Sequence, residues 1–313
     1  MVEIIKKTPI PIAGLMLALA ATGNLVASYG NNYKNIFGYI SFVIFILLIL
    51  KLSFDTKTVI KSLENPVVAS VSPTFSMGIM ILSTYIKTSI PSIAYLAWVL
   101  GLVIHSILII YFTKKFILKF DIKKVFPSYF VVYVGIVVGS VTAPAYNAIN
   151  LGKPIFWFGF ISYLILLPIV IYRVFLIKSI KEPALPTITI FAAPASLCLA
   201  GYMSSFQEKN MIIVNLLTLL SLVMLFSVLI YMPKMLKTKF YPSYSAFTFP
   251  CVISAIAIKK TNAFFISINN KISFFKYIVA FEETLAVLIV LYVLFKYTSF
   301  LLINRQEEKV LNN

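Results

Sequence analysis

Side chains able to do acid–base, nucleophilic or metal chemistry are scarce in this sequence. It holds one histidine, His105, two cysteines and ten acidic residues among 313. Intramembrane proteolysis or prenyl transfer needs Asp, His or Ser–His groups clustered within apolar segments, and no such cluster occurs. Cys198 and Cys251 stand alone in apolar runs. With neither metal-ligand spacing nor a disulfide framework, they read as small packing residues. A lone histidine in an apolar segment reads as a helix-to-helix hydrogen bond rather than a sensor. The expectation is therefore no enzyme, no cofactor and no metal.

One acidic pair, Glu282-Glu283, precedes an apolar run. A last span starting near Thr284 leaves both in interfacial water. One starting near Lys276 sinks them about 10 Å and makes them functional candidates. The apolar run after the pair is about 20 residues long, which favours the interface. Lys296 then snorkels to the inner face.

The chain is 60% hydrophobic and 12% charged, outside the range of soluble domains. Ten apolar runs of membrane length follow one another: 9–28, 35–52, 72–89, 92–112, 127–146, 154–173, 183–203, 210–232, 242–259 and 280–301. They leave no stretch for a soluble domain, so residues 1–313 read as a single transmembrane domain. Lys6 and Lys7 before the first run have the form of a signal peptide. Pro9 and Pro11 at its start, and the odd span count its removal would leave, favour a retained span. With the N-terminus inside, the outer side holds Lys34, Lys87, Lys153, Lys209, Lys259, Lys260, Lys271 and Lys276 of the 27 basic residues, and the inner side holds the rest. That asymmetry fits a cell-membrane protein with both termini cytoplasmic. The net charge of +17 is thereby accounted for without nucleic-acid binding.

Four runs open with proline and a small hydroxyl residue: Pro73-Thr74, Pro127-Ser128, Pro186-Thr187 and Pro242-Ser243. The spacing is about one helical hairpin, the mark of an internal repeat. Gly and Pro concentrate in the odd-numbered runs, whereas the even ones are Leu-, Ile-, Val- and Phe-rich. Small residues allow close helix approach and bulky apolar ones suit lipid. The alternation predicts an inner ring of odd helices and an outer ring of even ones. Eight residues after the opening proline stand Gly135, Pro194 and Pro250, with Gly78 somewhat earlier in the third run. Proline bends a helix, so bends at one depth predict a waist. The first run has Gly14 but no mid-span proline. By the same register Met80, Val134, Ala193 and Phe249 fall at one membrane depth.

Away from their ends the odd runs carry no ionisable residue, Lys87 lying at the end of the third. An uncharged path suits passive flow better than proton coupling, which needs a group to carry the proton. Five helix N-termini at the cytoplasmic mouth and basic loops there attract anions. Phe247 and Phe249 lie about 200° apart on the ninth helix, so only one faces the axis. A ring there is either an apolar plug or ordinary packing.

The segments Leu185-Pro186-Thr187 through Ala193-Pro194-Ala195 to Gly201-Tyr202, and Tyr241-Pro242-Ser243 through Phe247-Thr248-Phe249-Pro250 to Ser254-Ala255, resemble the tellurite-resistance/dicarboxylate transporter family. Pro9 to Asn24 and Phe126-Pro127-Ser128 with Gly135 are similar to it too, so the resemblance covers essentially the whole chain. That family includes plant slow anion channels and fungal malate and sulfite transporters. The resemblance implies an all-α integral membrane fold of ten helices in five hairpins with quasi-fivefold symmetry, odd helices around a pore. It also implies a homotrimer in which each subunit has its own pore, and a gating phenylalanine at Phe249. The missing mid-span proline in the first helix and the Glu282-Glu283 pair depart from it. The expected function is a passive anion channel for small inorganic or organic anions in the lipid bilayer. The alternative is a proton-coupled or secondary exporter of C4-dicarboxylate, sulfite or tellurite on the same fold.

Overall fold

The computed structural model describes residues 2–178 and 180–302, all-helical with no strand among them. Arg305 and Lys309, two of the inner-side basic residues, lie outside the described residues. The even-numbered spans are long, uninterrupted helices: Asn31–Phe54 (span two), Pro91–Ile117 (four), Ile149–Ile177 (six), Met211–Leu236 (eight) and Phe275–Leu302 (ten). Their apolar side chains point outward, as at Phe42, Leu96, Ile161, Leu219 and Leu288, where lipid tails replace water as solvent.

Each odd-numbered span is two pieces meeting at a break. Span one pairs Val2–Lys7 with Ile12–Leu25, across Pro9 and Pro11. Span three joins Pro66–Val71 to Thr74–Ile86 at Pro73. Span five joins Tyr129–Tyr133 to Val137–Thr142 around Gly135. Spans seven and nine start as 3₁₀ turns, Glu182–Ala192 and Pro242–Phe247. They continue as α-helices, Ala193–Ser205 and Thr248–Ser267, with Pro194 and Pro250 in the first turn. Proline cannot donate to the carbonyl four residues back, which places the breaks of spans one, three, seven and nine beside a proline; in span five the Gly135 amide instead bonds five residues back, to Phe130 O at 3.2 Å. Among the described residues nine helices are long and apolar enough to cross a membrane; the interruption at Gly135 keeps span five from being a tenth continuous one.

Several expected limits shift, with consequences for register. Span three starts at Pro66, not at residue 72, because the Asn65 side chain caps it by accepting from the amides of Val67 and Val68. Pro73 is therefore its break, not its opening proline. The same holds for span one: Pro9 and Pro11 form its break, and Val2–Lys7 is its first piece. The proline thought missing from the first helix is Pro11.

Span ten starts at Phe275, whose ring meets Phe265 of span nine at 5.7 Å. This overturns the interfacial placement of Glu282 and Glu283, which are 1% and 6% exposed. Glu283 is held by Lys259 Nζ at 2.6 Å and by the Tyr29 hydroxyl at 2.8 Å. A partner from another helix offsets a desolvation cost that hydropathy along one span cannot register.

The odd spans form a closed ring. Span one touches three, three touches five, five touches seven, seven touches nine, and nine returns to one; each odd span also packs on the even helix that follows it. In the four continuous odd spans 61–89% of the membrane-length core is buried, against 28–33% in the even ones. A hydrogen bond crosses every joint: Tyr85 Oη to Ala20 O at 2.6 Å, Ser70 with Ser128 at 2.6 Å, Ser140 to Ser205 at 3.0 Å, Thr189 to Ala246 O at 2.6 Å, and Thr248 to Gly14 O at 3.4 Å. Such bonds are worth about 0.6 kcal/mol each in membranes, so they set register more than stability.

A Cβ at Gly135 would fall 2.2 Å from the Val131 carbonyl oxygen and 2.8 Å from Met77 Sδ. The backbone oxygen cannot move aside without remaking the break. Gly135→Ala is expected to lower the melting temperature of the detergent-solubilised protein. Adding Met77→Ala should not restore it, because the side-chain clash is the lesser one.

Candidate functional site: the axial passage

Two cavities lie end to end along the centre of the ring. The first, about 50 Å³, is lined by all five odd spans and by no even one. Its wall includes the break residues Pro11, Thr74, Gly135, Pro194 and Pro250. A break residue or its neighbour from each odd span thus meets at one cavity, Pro11 and Thr74 being the members from spans one and three. The wall holds no ionisable side chain.

The second cavity, about 310 Å³, is lined by the C-terminal halves of spans one, three, five and nine and the start of span two. Phe249 lines both cavities and is 6% exposed. Span nine presents Phe249, Ile253, Ile256 and Lys260 in succession, the spacing of one helix face. Phe247 points elsewhere: it is fully buried, edge-on to Tyr244 at 5.1 Å. The exclusion argued from helix geometry holds.

Of the residues expected at the passage, Gly14, Val134, Gly135, Ala193, Pro194, Phe249 and Pro250 line the first cavity. Gly78 and Met80 line neither. Gly78 lets span three lie against span one, since a Cβ there would meet Met16 Cε at 2.1 Å. Met80 is fully buried, its Cγ 2.7 Å from where a Cβ on Gly101 of span four would sit. The cause is the register shift: counting from Pro66, the level of Phe249 in span three is Pro73-Thr74, and Met77 and Ile81 face the axis.

The second cavity brings in residues the sequence reading left in a loop. Span nine continues to Ser267, so Lys260 is a helical residue on its wall. Its ammonium donates to Ser204 Oγ of span seven at 2.6 Å. Lys34, from the start of span two, also lines this cavity, its ammonium 5.0 Å from the Tyr85 ring centre. No carboxylate lines it. Lys209, in the loop after span seven, lies close enough to repel Lys260, and partial burial holds its ammonium below the usual lysine range. The signal is in the sequence: 249, 253, 256 and 260 form one helical stripe that ends on Lys260.

The expected N-terminal ends also move. The long α segments of spans one, three, seven and nine begin at Ile12, Thr74, Ala193 and Thr248, at the waist rather than at the mouth. Turn-type bonds into these segments, such as Ile12 N to Pro9 O at 3.1 Å and Phe75 N to Ser72 O at 3.0 Å, already occupy their first amides, so little partial positive charge is left at the narrow level.

His105 makes the helix-to-helix bonds expected of it: its Nδ1 is 2.9 Å from Ser76 Oγ, and its Nε2 donates to Val132 O at 3.0 Å. It supports the break in span five from behind. Among the described residues no group of His, Cys, Asp and Glu is arranged to hold a metal.

A family model described as voltage-dependent anion channel, SLAC1, matches residues 12–298. No curated protein matches the chain.

The revised register is testable with single cysteines in a chain lacking Cys198 and Cys251. Cysteine at Thr74 or Ala193 is expected to react with a small water-borne thiol reagent, and cysteine at Met80 is not. Labelling of Met80→Cys at a comparable rate would restore the original alignment.

Proposed function

The chain belongs to the voltage-dependent anion channel family, a family of multi-pass membrane channels and transporters for anions, and we propose that it is a passive anion channel in which Phe249 closes the passage between two cavities. One observation carries this reading: Phe249 is the wall residue shared by an uncharged inner cavity and a basic outer one. An apolar ring at a constriction obstructs ions by excluding the water they carry. The neutral inner wall offers no site tight enough to retain an anion, and tight binding would slow exit. Lys260 and Lys34 raise the local anion concentration beside the closure without lining the narrowest part.

The charge asymmetry supports an orientation with the inner cavity toward the cytoplasm, in the cell membrane. The passage lies within one chain, so the homotrimer implied by the family resemblance has three separate passages. Sulfite, tellurite, chloride, nitrate and C4-dicarboxylates are the candidate permeants, to be ranked by reversal potentials in planar bilayers.

Phe249→Ala is expected to raise anion conductance about tenfold or more by widening the apolar closure, while Phe247→Ala leaves it near the wild-type level. Equal currents from all three proteins, each correctly folded, would exclude the gate. Lys260→Gln is expected to lower anion current about two- to threefold at low salt and less at high salt, as ionic screening takes over. An effect independent of ionic strength would remove Lys260 from the electrostatic role.

A further inference from the structure

Glu282 is the one acidic side chain among the described residues whose carboxylate is both buried and without a hydrogen-bond partner at either oxygen. Its residue is 1% exposed, about 10 Å from the start of span ten at about 1.5 Å per residue. It faces Ser254 of span nine, whose Oγ is also buried and unpartnered. The Ser254 hydroxyl lies close enough to act on the carboxylate, but the contact across the two helices falls short of hydrogen-bond geometry. Ser254 and Cys251 line neither cavity, so this contact lies on the back of the helix whose front carries Phe249.

The surroundings offer no compensating charge. Span nine brings Cys251 near Glu282, and Lys259, whose ammonium is taken by Glu283. Span one brings only Tyr29, also committed to Glu283. Span eight meets span ten through Phe226 and Phe281, and its ionisable Tyr231 and Lys234 lie further along toward the other end. Tyr244 of the 3₁₀ segment, Tyr297, and Glu3, Lys6 and Lys7 of the first helix all belong to the opposite end of span ten. An ionised carboxylate in such a place costs several kcal/mol, whereas a carboxylic acid can share its proton with a hydroxyl oxygen.

We propose that Glu282 is a proton-binding site built into the contact between spans nine and ten, and that release of its proton shifts the helix carrying Phe249. This rests on the channel reading above. In the closed arrangement the site is suited to the neutral acid. When the proton leaves to the outer solution, the carboxylate must gain water or a cation, which it obtains only if Ser254 of span nine draws away from span ten. Span nine loses its backing at that level, one turn past Phe249, and the closure loosens. Acid therefore closes the passage and alkali opens it.

Anion current through the full-length protein in planar bilayers is measured from about pH 5 to about pH 9 for wild type, Glu282→Gln, Glu283→Gln, Phe249→Ala and the Phe249→Ala/Glu282→Gln double variant. Wild-type current is expected to rise with outer pH, no more steeply than about tenfold per unit, the limit for one proton. Glu282→Gln, permanently neutral, should stay at the acid level throughout, and Glu283→Gln should keep a rising profile. A wild-type pH dependence that persists in Glu282→Gln overturns the proposal, as does a flat wild-type profile. Failure of the channel reading looks different: no variant, Phe249→Ala included, carries anion current. A second measurement needs no current. The infrared carbonyl stretch of a protonated carboxylic acid should fade as pH rises in wild type and be absent in Glu282→Gln. A band that survives the substitution, or none at any pH, rejects the site.

Discussion

A broken helix in a bilayer must find donors for the carbonyls its break sets free, because no water is present to supply them. The remainder of this architecture follows from that requirement. Pro250 cannot donate to Ala246 O, and Thr189 of the neighbouring span stands 2.6 Å from that oxygen. The break at Gly135 frees Val132 O, which His105 takes. Pro73 leaves Ala69 O, which Ser72 takes at 2.8 Å. Two of these three donors come from another helix. The breaks therefore do more than bend their own spans: they oblige the neighbours to stand at a fixed height beside them, which closes the ring.

The division into inner and outer helices was legible because it is a matter of composition, and burial follows composition here. The depth of the waist was legible in spans five, seven and nine, where the opening proline and the break are both plain in the sequence. It was misplaced in span three for an identifiable reason. Pro73-Thr74 matches the proline–hydroxyl pair that opens the other odd runs, although the apolar stretch already begins at Val67-Val68-Ala69, so in the repeat the break stands in for the beginning. Met80 inherited that error, and Pro11 was read as a start for the same reason. Hydropathy along a single span sets Glu282, Glu283 and Lys260 too far out, because it registers no neighbouring helix. Their positions are decided by partners: Lys259 for Glu283, Ser204 for Lys260, and helix contact alone for Glu282.

Charge is distributed so that attraction and obstruction fall in different places. The ammonium groups of Lys34 and Lys260 border the larger cavity, whereas the narrow one is neutral and apolar. A cation at the narrowest point would hold an anion strongly where effective dielectric is low. Set back in a wetter space, the same cation acts as a shallow attractor that ionic strength can tune.

The even helices stay helical from end to end, even across Pro154 and Pro168 in span six and Pro233 in span eight, while every odd one is jointed at the first cavity. The outer contour presented to the acyl chains is thus a set of rigid staves, and compliance is confined to an inner girdle. A change of bore can be accomplished by flexing the girdle while the perimeter keeps its thickness and cross-section. In the channel proposed above, the elastic deformation of the surrounding bilayer then contributes little to the work of opening, which makes that work insensitive to membrane thickness.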